Sequence, residues 1–167
     1  MELFLLRHGL AVERGTSGFA DDNARPLTPK GRRQLIKIVQ AMKKMELSFD
    51  RIFTSPLPRA EQTAEIVAGK LKMKKRLLIA AELRPGGDAK RLIRQIAAAK
   101  RMPKSILLVG HEPDLSELIS LLVTGTIEAG FALKKCGLAK LEVEQLRPEK
   151  CAVLTWLLLP DQLKLMC

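Results

Sequence analysis

Short apolar runs alternate with longer amphipathic stretches along the chain, and Gly, Pro and polar clusters separate them. Leu3–Leu6 reads as a buried strand that stops at Arg7-His8-Gly9 and opens into a polar loop over Leu10–Leu27. Thr28-Pro29 then has the form of a helix start, Thr at the N-cap and Pro at the first helical position. Leu35, Ile36, Val39 and Met42 recur on one face of that helix, which should end near Met45. Arg51–Thr54 is a second strand, stopped by Ser55-Pro56. A helix beginning at Pro56 follows, with Ser55 as its cap and Ala60, Ala64, Val67, Ala68 and Leu71 as its apolar stripe. Leu77–Ala80 fits a third strand. Pro85-Gly86-Gly87 breaks the chain, Asp88 caps a helix carrying Leu92, Ile93, Ile96 and Ala97, and that helix ends before Pro103. Ser105–Val109 is a continuous strand running into Gly110-His111-Glu112-Pro113, and a helix to about Val123 follows it. Ala139–Val143 and Ala152–Leu158, on either side of the polar stretch Glu144–Lys150, form the arms of a closing hairpin.

Strands alternating with helices of this length predict a three-layer α/β/α sandwich with a mostly parallel central sheet. At roughly 150 residues per domain, 167 residues make one domain over 1–167. Composition narrows the class further. No window approaches the roughly 18 to 20 apolar residues of a membrane span. The opening run Met1–His8 lacks the basic leader, long apolar stretch and cleavage site of a signal peptide, so a cytoplasmic location is expected. Cys136, Cys151 and Cys167 are an odd set without a close pair, which favours reduced thiols over a disulfide framework or a zinc site. Lys plus Arg number 29 against 18 Asp plus Glu, a net charge of +11, so partners should be anionic. With five Phe, one Trp and no Tyr, however, the aromatic platform of a single-strand nucleic-acid binder is missing.

The candidate chemistry lies at the strand ends, where open parallel sheets bind ligands. The chain has two histidines, His8 and His111, and each follows a strand directly; Arg7 and Arg59 stand at equivalent ends. Guanidinium groups suit the non-bridging oxygens of a phosphoryl group, whose transfer depends on positioning and electrostatic stabilisation. A neutral imidazole at His8 can attack phosphorus and form a phosphohistidine that water hydrolyses. His111, when protonated, would donate to the same oxygens.

Leu6-Arg7-His8-Gly9, the segment from Ser55-Pro56-Leu57-Pro58-Arg59 through Ala64, and Val109-Gly110-His111 resemble, in order and spacing, the three signatures of the histidine phosphatase superfamily, the phosphoglycerate mutase-like proteins. Arg25-Pro26-Leu27-Thr28-Pro29-Lys30-Gly31 is similar to the family's entry to the first helix. The resemblance implies that His8 is the phosphoryl acceptor and that Arg7, Arg59 and His111, with Arg25, hold the phosphate. It further implies Glu82, in Glu82-Leu83-Arg84-Pro85-Gly86, as the acid that protonates a leaving oxygen. Glu61 and Gln62 are expected to be structural.

The interval between Arg59 and Glu82 holds one helix and a short strand, leaving no room for the insertion that covers small metabolites in longer members. This short form looks most like the bacterial phosphohistidine phosphatases of the SixA type, so the implied substrate is phosphohistidine on a phosphorelay-type protein. A phosphomonoesterase acting on a sugar or nucleotide phosphate, and a non-catalytic phosphate- or nucleic-acid-binding module, are the alternatives. No metal or organic cofactor is implied.

Overall fold

A computed structural model describes residues 1–19 and 21–167; within the loop expected over Leu10–Leu27, residue 20 lies outside the described residues. Six strands, β1 (Glu2–Arg7), β2 (Arg51–Thr54), β3 (Leu77–Ile79), β4 (Ser105–Gly110), β5 (Leu138–Val143) and β6 (Ala152–Leu158), form one sheet in the order β3-β2-β4-β1-β5-β6. The pairs β3·β2, β2·β4 and β4·β1 are parallel, and β5 runs against both of its neighbours. The sheet is therefore mostly parallel, as the alternation of elements predicts, and its last two strands are the expected hairpin.

Alternation along the central strands sorts the core into two layers. Phe4 and Leu6 of β1 and Leu107 and Val109 of β4 pack with α1 (Pro29–Lys44), α2 (Pro58–Lys70) and α5 (Pro160–Leu165). Leu3 and Leu5, with Ile106 and Leu108, point the other way onto α3 (Ala89–Ala97) and α4 (Asp114–Thr124). A strand whose successive residues bury both faces reads as a continuous apolar run, which is why β1 and β4 stand out in the sequence. The short helix α5 was not legible in the same way: Leu163 is the only residue of its last five to reach full burial, too little for a periodic stripe.

The helix starts follow their caps. Thr28 Oγ1 accepts the Gly31 N–H at 2.9 Å, and Asp88 accepts the Arg91 N–H at 2.9 Å, both as expected. The second helix corrects the sequence reading: it begins at Pro58, not Pro56, and Leu57 at its N-cap offers no side-chain bond. Leu57 precedes a proline, which disfavours the helical conformation there, and its backbone is extended at φ −72°, ψ 135°. Among the described residues no helix is long and apolar enough to cross a membrane, and the three cysteines are free thiols.

The first helix is docked through the Leu10 carbonyl, which accepts the Thr28 N–H at 2.9 Å and the Thr28 hydroxyl at 3.2 Å. A Cβ at Gly31 would sit 2.1 Å from that same oxygen, so only glycine lets the helix approach. Gly31→Ala is expected to cost about 3 kcal/mol or more through overpacking against backbone. Gly69→Ala, whose Cβ would make an ordinary contact at 3.5 Å to the flexible Lys74 side chain, should be neutral or stabilising by up to about 1 kcal/mol. Urea midpoints of the two variants measure both; equal midpoints would contradict the docking.

Candidate active site

Sheet register brings three strand ends to one line. Arg7 pairs with Gly110 and Thr54 with Val109, so His8, Ser55 and His111 leave the sheet side by side. The ladder continues one step further on both sides: the His8 N–H donates to Gly110 O at 3.1 Å and the Ser55 N–H to Val109 O at 3.0 Å. The rings of His8 and His111 lie 5.0 Å apart, centroid to centroid, tilted by 54°.

Hydrogen bonds fix how each ring is presented. His8 Nδ1 is 2.7 Å from the Gly9 carbonyl, which can only accept, so Nδ1 carries the proton and Nε2 holds the lone pair of the neutral ring. Gly9 is itself held, its N–H donating to Thr63 Oγ1 at 3.0 Å while the Thr63 hydroxyl donates to Arg59 O at 2.7 Å. His111 Nε2 lies 2.8 Å from Ser55 Oγ, and that hydroxyl also accepts the Leu57 N–H at 3.3 Å. Ser55 is thus a partner of His111 and not the cap of a helix, because the continued ladder holds its backbone extended.

Three guanidinium groups, Arg7, Arg25 and Arg59, converge on these rings, with Arg14 and Lys135 nearby. Arg7 Nη1 donates to Leu133 O at 3.0 Å, and Arg59 Nη1 donates to Asp22 O at 2.8 Å. Arg25 reaches Asp22 Oδ1 through Nε at 3.0 Å and Nη2 at 2.9 Å, while the exposed Arg14 meets the same oxygen at 2.7 Å. Asp22 Oδ2 also stands 3.5 Å from Arg59 Nη2, so one carboxylate ties three guanidinium groups together. Lys135, from the loop that supports Arg7, feels Arg7, Arg25 and Arg59, which together with burial lower its ammonium pKa. Three buried nitrogens of this cluster have no hydrogen-bond partner among the described residues: Arg7 Nε, Arg59 Nε and His111 Nδ1.

The same surroundings set the charge of the imidazoles. Burial is the main cause that brings His8 down to about 3; its bond to Gly9 opposes this, and His111, Arg59 and Arg7 add to it. Burial also dominates at His111, lowered to about 4, followed by Arg59 and Arg7, with Asp22 opposing. Both rings are neutral in the free protein near pH 7. For Asp22, burial would raise the carboxyl pKa, but Arg25, Arg14 and Arg59 outweigh it and hold the group below its usual range.

The structure gathers Arg7, His8, Arg25, Arg59 and His111 in one place. Glu82 is placed differently. It follows β3 in a 3-10 turn over Ala81–Leu83, and its Oε1 lies 3.6 Å from Arg91 Nε and 3.4 Å from Gln95 Nε2, both on α3. Gln62 is structural as expected, accepting the Leu27 N–H at 2.9 Å. The sequence reading did not assign Asp22, Ser55, Thr63, Lys135 or Glu112 to this site. Glu112 adjoins His111, has a pKa raised by burial, accepts from the Ser116 hydroxyl through Oε2 and leaves Oε1 buried without a partner. Of these, Ser55 and Thr63 lie inside the motif around Arg59 and could have been found there. Among the described residues no group of three or more His, Cys, Asp or Glu is arranged to hold a metal ion.

Several known proteins are similar to this chain in sequence or fold. The profile of the histidine phosphatase superfamily (branch 1) matches residues 3–84. The chain is 30% identical over 126 residues to phosphohistidine phosphatase SixA of Escherichia coli (strain K12), covering 75% of this chain and 76% of that one. It is 35% identical over 139 residues to an uncharacterized protein of a Picosynechococcus species, covering 83% and 82% of the two chains. Among solved structures, the protein histidine phosphatase SixA complexed with tungstate superposes with a TM-score of 0.79 at 25% identity, over 98% of this chain and 99% of that one.

Two outcomes follow from the site's bonds. Because both histidine pKa values fall from about 6.5 on folding, to about 3 and about 4, the unfolded chain takes up protons first as the pH drops. Their contribution to stability is complete above pH 6.5 and declines as the pH falls toward 4. The Tm of His8→Asn/His111→Asn should therefore depend less steeply on pH between 7 and 4.5 than that of the parent protein; identical slopes would refute this. Thr63→Val leaves the buried Gly9 N–H unpaired and should cost about 1–3 kcal/mol in denaturant titrations.

Proposed function

The chain belongs to the histidine phosphatase superfamily, and on that footing we propose that it hydrolyses phosphohistidine in a phosphorelay-type protein through a covalent phosphohistidine on His8. One observation carries the reading: beside the nucleophile-bearing ring, three buried donors, Arg7 Nε, Arg59 Nε and His111 Nδ1, have no acceptor among the described residues. A buried N–H that lacks a partner is costly, and a PO₃ group supplies three acceptor oxygens at once.

In this mechanism the phosphoryl group lies between the two rings. Ser55 takes the Leu57 N–H and gives its own O–H to His111 Nε2, so that His111 presents Nδ1–H to a phosphoryl oxygen. His8 Nε2 attacks phosphorus in line, the P–N bond of the substrate breaks, and the released imidazole nitrogen takes up a proton. Water then attacks the phosphorus on His8, the P–Nε2 bond breaks, inorganic phosphate leaves, and the neutral ring is restored. Arg7, Arg59 and Arg25 hold the charge that develops on the equatorial oxygens. Asp22 keeps the Arg25 and Arg59 side chains in place between turnovers.

The carrier is the finer part of the proposal. Between Arg59 and Glu82 the chain holds only α2, one 3-10 turn and the three-residue strand β3, with no inserted segment to enclose a small metabolite, which supports a side chain on another protein as the substrate. The excess of 11 positive charges favours an acidic carrier and would speed its capture. A role for Glu82 would be confined to ester leaving groups, which need a proton on oxygen, and would require its carboxylate to leave Arg91 and Gln95; a departing imidazole accepts a proton from water readily.

Phosphohistidine protein and a panel of phosphate monoesters, each assayed with the parent protein, His8→Ala and Glu82→Gln, provide the test. His8→Ala should abolish both turnover and labelling of the protein. Glu82→Gln should slow the monoesters more than phosphohistidine, and equal slowing would remove Glu82 from the leaving-group role. A parent protein that turns over a sugar or nucleotide phosphate faster than phosphohistidine would replace the carrier proposed here with a metabolite. Retained turnover in His8→Ala would overturn the covalent step.

A further inference from the structure

We infer that a second ligand site, built for a nucleotide, lies at the opposite pole of the sheet from His8. A cleft of about 700 Å³ opens there, between the amino-terminal ends of β2 and β4 and the carboxyl-terminal half of α3. Its volume falls within the usual range of small-molecule pockets, and its lining divides into an apolar floor and a cationic rim.

The floor is Phe53, Leu92, Ile96 and Met102, with Leu92 and Ile96 buried in the core beneath it. The rim is Arg51, Arg76, Arg101 and Lys104. Among the described residues none of these four forms an ion pair, whereas Arg91 and Arg94 on α3 find Glu82 and Asp88. The cleft's one carboxylate, Asp50, accepts the backbone N–H groups of Lys104 at 2.7 Å and Ser105 at 3.3 Å through Oδ2 and offsets part of the charge of Arg76 and Arg51, so the rim keeps a net positive charge. Two of the guanidinium groups are anchored from behind, Arg51 Nη1 to Asp50 O at 2.8 Å and Arg76 Nη1 to Phe49 O at 2.7 Å, which orients them at little entropic cost to a ligand.

Four cations around one hollow repel one another, and an anion of more than one charge relieves that repulsion. Planar guanidinium forks match phosphate oxygens in pairs. An inorganic anion would leave Phe53 and Met102 in water, so the occupant needs an apolar or aromatic body next to its phosphates. A ring can lie against Phe53 and against the polarizable Met102 sulfur. A nucleoside diphosphate has both parts and the right size.

The probe is ADP, titrated into ¹⁵N-labelled protein, with pyrophosphate and adenosine as the separated halves. Saturable shifts are expected at the amides of Phe53, Ile96 and Met102, with Gly9 and Gly110 unmoved, and each half should bind at least about tenfold more weakly than ADP. The double variant Arg101→Glu/Lys104→Glu should weaken ADP by at least about tenfold and leave kcat on a small phosphate monoester unchanged. No saturable shift, shifts confined to Gly9 and Gly110, pyrophosphate as tight as ADP, or indifference to the charge reversal would each overturn the site. The outcome is independent of which phosphorylated carrier His8 serves.

Discussion

Parallel pairing of β4 with both β1 and β2 is the constraint on which everything at the site depends. Hydrogen-bond registry puts Arg7 opposite Gly110 and Thr54 opposite Val109. The residue after each strand is thereby fixed in space before any side-chain interaction is made. The histidines need no metal and no loop closure to find each other, since two backbone bonds beyond the ladder already place them. Slipping either strand by one residue would turn its buried side chains to the other face, a far larger loss than any single bond in the site.

Gathering Arg7, Arg25, Arg59 and Lys135 around two imidazoles carries an electrostatic cost, and the fold handles it in two ways. The imidazoles stay neutral, because burial and the adjacent guanidinium groups depress their pKa values. Asp22 supplies negative charge from the rim, where it remains partly in contact with solvent. A site tuned in this way is at its least stable in its own resting state and improves when an anion with three oxygens enters. Preorganised donors in a dry pocket are worth more to a transition state than the same donors in water.

Much of this was legible from residues alone, and the rest was hidden for physical reasons. The buried strands β1 and β4 announced themselves as apolar runs, and Thr28 and Asp88 marked their helices because N-caps are local chemistry. Arg7, His8, Arg25, Arg59 and His111 could be assembled because a parallel sheet turns strand ends into neighbours. Helix α2 began two residues late, since Pro58 excludes Leu57 from helical backbone and the β2 ladder claims Ser55. Asp22, Lys135 and Glu112 carried no motif of their own; their placement follows from loop paths, which depend on tertiary contacts. The location of Glu82 beside Arg91 and Gln95 likewise depends on how α3 packs, not on its spacing from Arg59.

The strand order has a consequence for biosynthesis. β1 is made first, yet its two sheet neighbours are β4 and β5, which begin at Ser105 and Leu138. A nascent chain leaving the ribosome can pair β2 with β3, but β1 has no strand partner until Ser105 and the rest of β4, about a hundred residues later, have emerged. Leu3 and Leu5, which the finished fold buries against α3 and α4, lack their cover for longer than Phe4 and Leu6, whose partners on α1 and α2 are made earlier, and apolar segments exposed in that interval are prone to associate with other chains.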